Sequence, residues 1–180
     1  VYKRQKQFCM LDFKSRELQG KTFGIVGLGT LGQAVANVAT AFGMRVIAAE
    51  LPDRKYAKSK IPRVEWDNFL RQTDVISLHC PLNATTANLI DTAALKKMRD
   101  NAILINTSRG GLIDEKALMK SLKQNKLGGA GIDVLPVEPP VDGGPLLNTS
   151  LPNLLITPHI AWAAIESRQR ALDHIISNIR

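Results

Sequence analysis

The chain has 180 residues, of which 44% are hydrophobic and 22% are charged, a balance typical of a single soluble globular domain. No apolar run approaches the roughly 18 residues that a membrane span needs, and the start of the chain lacks a signal-peptide pattern. Cys9 and Cys80 are too few and too far apart for a disulfide framework, and no C-x-x-C pair indicates zinc. We therefore expect a reducing, cytoplasmic location, with no membrane partner and no metal.

The formal net charge of +8 is compatible with a nucleic-acid partner, so the position of the basic residues matters. Half of this excess lies within residues 1–21, before the first predicted strand. A second basic cluster lies in a proline-containing connection with no aromatic residue nearby except Tyr56; it consists of Arg54, Lys55, Lys58, Lys60 and Arg63. We interpret both groups as solvated loop charge and predict no nucleic-acid partner.

A strand, a glycine-rich turn and a helix form the first predicted unit. Thr22–Val26 has the β-branched and aromatic content of a short buried strand, and apolar residues recur at helical spacing over Thr30–Phe42. In a turn of this kind Gly27 allows the tight bend, Gly29 lets the backbone approach a pyrophosphate, and Gly32 lets helix and strand pack closely. The free N–H groups at the start of the helix, with the positive end of its dipole, then form an anion site.

An acidic residue at the end of the second strand completes this dinucleotide-binding pattern. The predicted strand Arg45–Ala49 ends at Glu50, which lies 18 positions beyond Gly32, close to where a ribose-binding acid belongs. The alternative is an ordinary glycine turn with Glu50 as a surface charge. Glu50 accepts hydrogen bonds from a 2′-hydroxyl and repels a 2′-phosphate, which favours NAD, whereas Arg54 and Lys55 favour NADP. We give the acid at the strand end more weight and predict NAD.

The rest of the chain alternates short apolar runs with amphipathic helices, which is typical of a parallel sheet covered on both faces. The further predicted strands are near Arg63–Glu65 and at Val75–His79, Ala102–Asn106, Gly129–Asp133 and Leu154–Thr157. The further predicted helices are Trp66–Arg71, Thr92–Met98 capped by Asp91, a helix from its cap Asp114 through Gln124, and Ala164–Ile179 with an apolar stripe. Right-handed crossovers predict an α/β fold: a doubly wound parallel sheet, or Rossmann fold, of about seven strands in the order 3-2-1-4-5-6-7.

Three polar residues follow the last three strands of this predicted sheet. Arg109 follows the fifth strand, Glu138 the sixth and His159 the seventh, and ligands bind outside the carboxyl ends of strands in such sheets. An arginine grips a carboxylate in a forked pair, a histidine donates a proton near neutral pH, and a glutamate beside that histidine favours the imidazolium. This set suits reduction of a 2-oxo acid beside a nicotinamide.

Each of these residues taken singly has a structural alternative. Arg109 could be a surface charge, Glu138 a solvated loop residue and His159 a buried histidine with its hydrogen bonds satisfied. Their shared position after successive strands favours the functional interpretation. Of the other histidines, His174 is expected to face solvent on the last helix, and His79 to have a structural role or to contact the cofactor.

Several motifs together resemble the nucleotide-binding domain of the D-2-hydroxyacid dehydrogenases, over about residues 7 to 180. The motifs are GLGTLG with Glu50, LHCPL, INTSRGG, GIDVLPVEPP and LPNLLITPHIAW. The resemblance implies that Arg109, Glu138 and His159 form the catalytic set. It further implies roles in cofactor binding: Thr30 and Leu31 give backbone N–H groups to the pyrophosphate, Cys80 and Pro81 line the adenine pocket, Thr107 contacts the cofactor, and Asp133 holds the nicotinamide carboxamide.

Within that family, the FCMLDF, DVLPVEPP and HIAW segments look most like the bacterial glycerate dehydrogenases, also called hydroxypyruvate reductases. This resemblance implies reduction of hydroxypyruvate or glyoxylate to D-glycerate or glycolate, and a homodimer. It also implies three segments: residues 1–20 entering from a substrate domain, residues 21–160 binding NAD, and residues 161–180 leading back to the substrate domain, which is expected to lie outside this chain. The alternative function is a dinucleotide-sensing protein without significant turnover, similar to related transcriptional corepressors.

Overall fold

The computed structural model describes residues 15–51, 56 and 58–179. The FCMLDF segment, most of the entering segment 1–20, Cys9, Arg54 and Lys55 therefore lie outside the described residues. No helix in the described part of the chain has both the length and the apolar character that crossing a membrane requires.

Seven parallel strands form one sheet in the order β3-β2-β1-β4-β5-β6-β7, which confirms the predicted topology. The strands are β1 (Thr22–Val26), β2 (Arg45–Glu50), β3 (Arg63–Glu65), β4 (Val75–Leu78), β5 (Ile103–Asn106), β6 (Gly129–Ile132) and β7 (Leu154–Ile156). The strand order reverses between β1 and β4, so a crevice opens at the carboxyl ends of these two strands. This crevice is where the fold class places a ligand.

Among the described residues four α-helices connect strands and a fifth follows β7, and their positions agree with the sequence pattern apart from terminal residues. They are α1 (Thr30–Ala41), α2 (Trp66–Gln72), α3 (Thr92–Lys97), α4 (Glu115–Lys123) and α5 (Ile165–Ile179). The side chains of Glu65, Asp91 and Asp114 accept backbone N–H groups at the starts of α2, α3 and α4, which confirms the two predicted caps and adds a third. A short 3-10 helix, Gly110–Leu112, was not predicted.

Helices cover both faces of the sheet. Phe23 and Ile25 of β1 pack with residues of α1, whereas Val26 belongs to a larger cluster with buried residues of α2, α3 and α4. Successive side chains of a strand point to opposite faces, so one strand contributes to both clusters. The central strands are thus held rigidly between two apolar layers, and the loops at their carboxyl ends start from fixed positions.

One expectation needs correction. Arg63 is not a solvated loop charge: it begins β3, its guanidinium lies 3.9 Å from the ring centroid of Tyr56, and its Nη1 donates to the carbonyl of Ala49. Packing against an aromatic face accounts for a cation in this partly enclosed position. The apolar stripe of α5, in turn, covers no core, because none of the residues of that helix is buried. His174 on the same helix is exposed, as predicted.

Candidate active site

The glycine turn between β1 and α1 has little free space on the protein side. Gly27 has a φ of +99°, and a side-chain carbon there would lie 2.6 Å from backbone atoms of His79 and Cys80. A carbon added at Gly32 would overlap the carbonyl oxygen of Gly27. Both positions therefore require glycine, one for its conformation and both for the close approach of the neighbouring chain.

The start of α1 fits the phosphates of a dinucleotide. Among the described residues no side chain caps this helix, and its first turn holds no acidic residue. The N–H groups of the first turn, including those of Thr30 and Leu31, are therefore left for an anion. A side-chain carbon at Gly29 would meet no atom within 4 Å, so the space beside the turn is open.

The predicted adenosine residues lie at the ends of two strands beside this turn. Glu50 is the last residue of β2 and is exposed, as a carboxylate that is to meet a ribose has to be. Cys80 is 3% exposed and Pro81 is exposed, both just after β4.

A short contact joins two of the predicted catalytic residues across 21 positions of sequence. His159 Nδ1 lies 2.6 Å from Glu138 Oε2, and Glu138 Oε1 accepts the N–H of Leu135 at 2.7 Å. The Leu135 N–H and the His159 ring together hold the pKa of Glu138 below its ordinary value. The carboxylate therefore stays ionised at neutral pH and orients the imidazole through Nδ1, which leaves Nε2 free to face a substrate.

Asp133 holds the turn that carries His159. Its Oδ1 accepts the Thr157 hydroxyl at 2.5 Å and the N–H of Ile160 at 2.9 Å, and its Oδ2 accepts the N–H of Ala161 at 2.9 Å. Burial by itself raises the pKa of Asp133, but these three hydrogen bonds and the nearby His159 outweigh burial and lower it. His159 has a φ of +52°, a conformation that residues other than glycine seldom adopt, so this turn depends on the bonds around it.

Arg109 reaches the same edge of the sheet from the loop after β5. A side-chain carbon at Gly110 would overlap the backbone of Leu135 and Pro136, so the loop of Arg109 lies directly against the loop that leads to Glu138. Arg109 is close enough to Glu138 to contribute to the lowering of its pKa. The Arg109 Nη1 donates to the carbonyl of Ser108 at 2.6 Å, and the side chain is otherwise open to the cleft.

A cleft of about 1030 Å³ is lined by four of the predicted site residues. It lies between α1, the ends of the central strands and α5, and its lining includes Leu31, His79, Thr107, Arg109, His159 and Trp162. Glu138 does not line the cleft itself, but it contacts His159, which does. Glu50, Cys80 and Pro81 do not line this part of the cleft.

His79 is a second imidazole in the cleft, with different surroundings. Burial lowers its pKa, and its Nε2 lies 2.9 Å from the Ser77 hydroxyl, with no carboxylate among its recorded contacts. A neutral ring of this kind suits the predicted structural role or cofactor contact. The described residues contain no group of His, Cys, Asp or Glu side chains arranged to hold a metal ion.

The family described as D-isomer specific 2-hydroxyacid dehydrogenase, NAD binding domain, matches residues 2–161. The chain belongs to this family. This confirms the resemblance drawn from the motifs, and it identifies the glycine turn and the uncapped helix as parts of an NAD-binding domain.

Three proteins illustrate how similar this chain is to known relatives and solved structures. A glycerate dehydrogenase of Methylorubrum extorquens is 44% identical over 178 residues, which cover 99% of this chain and 55% of that protein. An acyclic imino acid reductase (Bsp5) in complex with NADPH and D-Arg aligns at 37% identity with a TM-score of 0.84, over 99% of this chain and 56% of that chain. A D-lactate dehydrogenase from Aquifex aeolicus, complexed with NAD and lactic acid, aligns at 31% identity with a TM-score of 0.84, over 98% of this chain and 57% of that chain. The chain thus spans about half the length of the relatives it matches.

In this NAD-binding domain, the sequence did not predict the residues that hydrogen-bond to predicted site residues and so hold them in place. Thr157 donates its hydroxyl to Asp133, and Leu135 donates its backbone N–H to Glu138. Thr157 carried a usable signal, since it is a polar residue at the end of β7 and two positions before His159. The contribution of Leu135 had none, because a backbone N–H is present at almost every residue.

Proposed function

We propose that this domain serves an NAD(H)-dependent oxidoreductase that reduces a small 2-oxo acid to the D-2-hydroxy acid. The observation that carries the proposal is the 2.6 Å pair of His159 and Glu138, which faces the same cleft as Arg109. An imidazole held by a carboxylate is a proton donor and acceptor, and a nearby guanidinium binds a carboxylate. In a 2-oxo acid the keto oxygen that accepts the proton and the carboxylate that a guanidinium binds are on adjacent carbon atoms.

Each side chain meets one requirement of the reaction. A bound NADH supplies the hydride in reactions of this class. Arg109 binds the substrate carboxylate as a forked pair and polarises the neighbouring keto oxygen. His159 holds the proton for that oxygen, and in the oxidative direction the neutral ring accepts it. Glu138 favours the protonated ring and keeps it turned towards the cleft.

The cofactor residues are assigned by their positions. We propose that Thr30 and Leu31 give N–H groups to the pyrophosphate, that Glu50 binds the ribose hydroxyls, and that Thr107 and Asp133 lie against the nicotinamide half. Within the described residues Asp133 accepts two hydrogen bonds at Oδ1 and one at Oδ2. A carboxylate oxygen can accept two, so Oδ2 can accept one more donor, such as a carboxamide. Cys80 and Pro81 are proposed to line the adenine pocket.

Hydroxypyruvate and glyoxylate are the first substrates to test. The glycerate dehydrogenase relative supports hydroxypyruvate, because oxidation of glycerate at its second carbon gives that 2-oxo acid. The half-exposed indole of Trp162 lies in the same cleft as Arg109 and His159, where it limits the space beside a small substrate.

The decisive experiment compares His159→Gln with a matched histidine control in the full-length gene product. His159→Gln removes the proton donor and is expected to lower turnover of the 2-oxo acid by about 10²–10⁴-fold, while NADH binding measured by fluorescence titration stays nearly unchanged. His174→Gln alters an exposed histidine on α5, outside the cleft lining, and leaves both quantities at the wild-type level. Unchanged turnover in His159→Gln excludes the assigned role. A wild-type protein that binds NADH without turnover, and whose partner binding responds to NADH, is instead a dinucleotide sensor.

A second experiment tests the preference for NAD. Glu50→Ala removes the charge that repels a 2′-phosphate, so kcat/KM with NADPH is expected to rise relative to that with NADH. The comparison uses both reduced cofactors at equal concentration. A wild-type preference for NADPH, as the NADPH complex of the imino acid reductase would suggest, refutes the weight given to Glu50.

We further infer that the full-length protein is a cytoplasmic homodimer with no nucleic-acid or membrane partner, in which residues 1–20 and 161–180 lead to and from a substrate domain. The exposed apolar residues of α5, among them Ile165, Leu172 and Ile175, support a covering partner for that helix. Sedimentation velocity of the full-length protein is expected to give a dimer mass. A monomer mass, or salt-dependent association with DNA or RNA, contradicts this inference.

A further inference from the structure

Asn106 is completely buried at the carboxyl end of β5, and both hydrogen bonds of its side chain within the described residues go to the loop that follows it. Its Oδ1 accepts the N–H of Ser108 at 3.0 Å, and its Nδ2 donates to the carbonyl of Arg109 at 2.9 Å. Exchanging the oxygen and nitrogen of the amide would place donor against donor and acceptor against acceptor, so the two contacts fix its orientation. One side chain thus closes the three-residue loop that ends at Arg109.

The same loop is also fastened to the neighbouring strand. The Ser108 hydroxyl donates to the carbonyl of Leu78 at 2.7 Å, and Leu78 is the residue of β4 that pairs with Asn106. The path of the backbone up to Arg109 is therefore fixed from two strands, although the guanidinium itself is exposed. An exposed cation on a loose loop would spend much of its time away from any one ligand position.

Asn106 is also connected to the turn that carries His159. Its carbonyl accepts the N–H of Asp133 at 2.9 Å, and the carbonyl of Asp133 accepts the N–H of His159 at 2.8 Å. A continuous series of backbone hydrogen bonds therefore runs across the ends of β5, β6 and β7. The side chain of Asn106 holds the loop that follows it against this series, and the side chain of Asp133 holds the turn after β7.

We propose that Asn106 is a positioning residue for Arg109: its amide holds the Ser108–Arg109 backbone so that the guanidinium meets the substrate carboxylate at a fixed distance from the His159 imidazole. The proposal rests on the proposed function in assigning the carboxylate to Arg109. A displacement of about 1 Å in a positioned group can lower a rate about 10²-fold. The effect is expected in the binding and turnover of the 2-oxo acid, and much less in the binding of NADH.

The test uses two variants of Asn106 and a control on the same strand. Asn106→Ala removes both hydrogen bonds and is expected to lower kcat/KM for the 2-oxo acid by about 10–10²-fold, while the dissociation constant for NADH changes by less than about threefold, or about 0.7 kcal/mol. Leu104→Val trims a buried residue of β5 outside these contacts and controls for general destabilisation. An unchanged kcat/KM in Asn106→Ala, or an equal loss in Leu104→Val, overturns the proposal.

A double-mutant comparison asks whether Asn106 acts through Arg109. If it does, Asn106→Ala combined with Arg109→Gln loses no more kcat/KM than Arg109→Gln alone. Losses that simply add up show that Asn106 acts elsewhere and overturn the proposal. Asn106→Asp separates the two hydrogen bonds, because it keeps the acceptor for Ser108 but sets an oxygen against the Arg109 carbonyl. It is expected to lower kcat/KM as well, and it carries the comparison if Asn106→Ala does not fold.

Amide hydrogen exchange distinguishes failure of this proposal from failure of the proposed function. In Asn106→Ala the Ser108 amide is expected to exchange at least about tenfold faster than in Leu104→Val, whereas Asn106→Asp keeps it slow. If the wild-type protein reduces no 2-oxo acid, the proposed function fails and the exchange rate decides whether Asn106 holds this loop. Equal Ser108 exchange in all variants overturns the positioning role, whatever the activity.

Discussion

Replacing Asp133 by asparagine turns one acceptor oxygen of the side chain that holds the turn of His159 into an NH₂ donor. Asp133 is 5% exposed and accepts three hydrogen bonds, two at Oδ1 and one at Oδ2. An asparagine can keep the two bonds to Thr157 and Ile160, but its NH₂ group then faces the N–H of Ala161. The lost bond runs from the N–H of Ala161 to a charged and buried carboxylate, and a hydrogen bond to a charged group contributes about 1.5–3 kcal/mol, so we expect Asp133→Asn to lower the free energy of unfolding by that amount.

Urea unfolding of the 180-residue chain, followed by tryptophan fluorescence, measures this loss. Thr157→Val removes a single donor to the same carboxylate and is expected to cost about 1 kcal/mol. Asp142→Asn makes the same chemical change at an exposed aspartate and is expected to stay within about 0.5 kcal/mol of the wild type. The three variants therefore rank as Asp133→Asn, Thr157→Val and Asp142→Asn, from the largest loss to the smallest.

The loss also depends on pH with a definite sign. Because the pKa of Asp133 in the folded chain lies below its ordinary value of 3.8, its ionised form contributes stability above that value, and the contribution disappears as the pH falls through the lowered pKa. The gap between the wild type and Asp133→Asn should be constant from pH 7 to 5 and narrow below 3.8. A gap smaller than about 0.5 kcal/mol at pH 7, or one that widens in acid, would refute the account of this turn.

Three further predictions concern the glycine turn, the histidine pair and a surface ion pair. Gly32→Ala sets a carbon against the carbonyl of Gly27 and should weaken NADH binding at least about tenfold in a fluorescence titration. Gly131→Ala is the control, because a carbon there meets no atom within 4 Å, and it should leave NADH binding unchanged. Equal NADH binding by the two variants contradicts the packing argument. Glu138→Gln should lower turnover of the 2-oxo acid by about 10–10²-fold with unchanged NADH binding. Because the pKa of Glu138 lies below 4.5, its carboxylate is ionised in the wild type at pH 5, and the ratio of wild-type to variant turnover should already have its full value there. Lys97→Met breaks a half-exposed ion pair with Asp67 and should lower the free energy of unfolding in urea by about 1 kcal/mol or less. A loss above about 2 kcal/mol would mean that the pair does more than bridge α2 and α3.

Most of the fold could be predicted because its signals are local. The apolar runs and the helical spacing indicated all seven strands and the five helices, and the observed strand order agrees. Asp91 and Asp114 cap helices as predicted, since a short acidic side chain before a helix reaches the first N–H groups of its own segment. Errors at element ends were confined to a residue or so, where hydrogen bonding to the next segment decides the boundary.

Contacts between distant segments were beyond the sequence. Arg63 was taken for a solvated charge although Tyr56 lies in the same connection, because the sequence does not show that the chain folds back to set the guanidinium over that ring. The apolar stripe of α5 is an evident pattern, yet a pattern does not say what covers it, and no segment that the structure describes buries it. The φ of +52° at His159 was equally unpredictable, since Asp133, whose carboxylate supports that turn, lies after a different strand.

By itself the sequence determined the α/β class, the order of the strands, the glycine turn and the types of side chain that follow each strand, because periodicity and turn chemistry act over a few residues. Only the tertiary structure decided that Glu138 meets His159 at 2.6 Å and that the backbones of Gly110 and Leu135 touch. It also decided that Asp133, after β6, accepts the N–H groups of the turn after β7 instead of facing solvent. These contacts join residues from separate strands, and their distances depend on how the whole sheet and both apolar layers pack together.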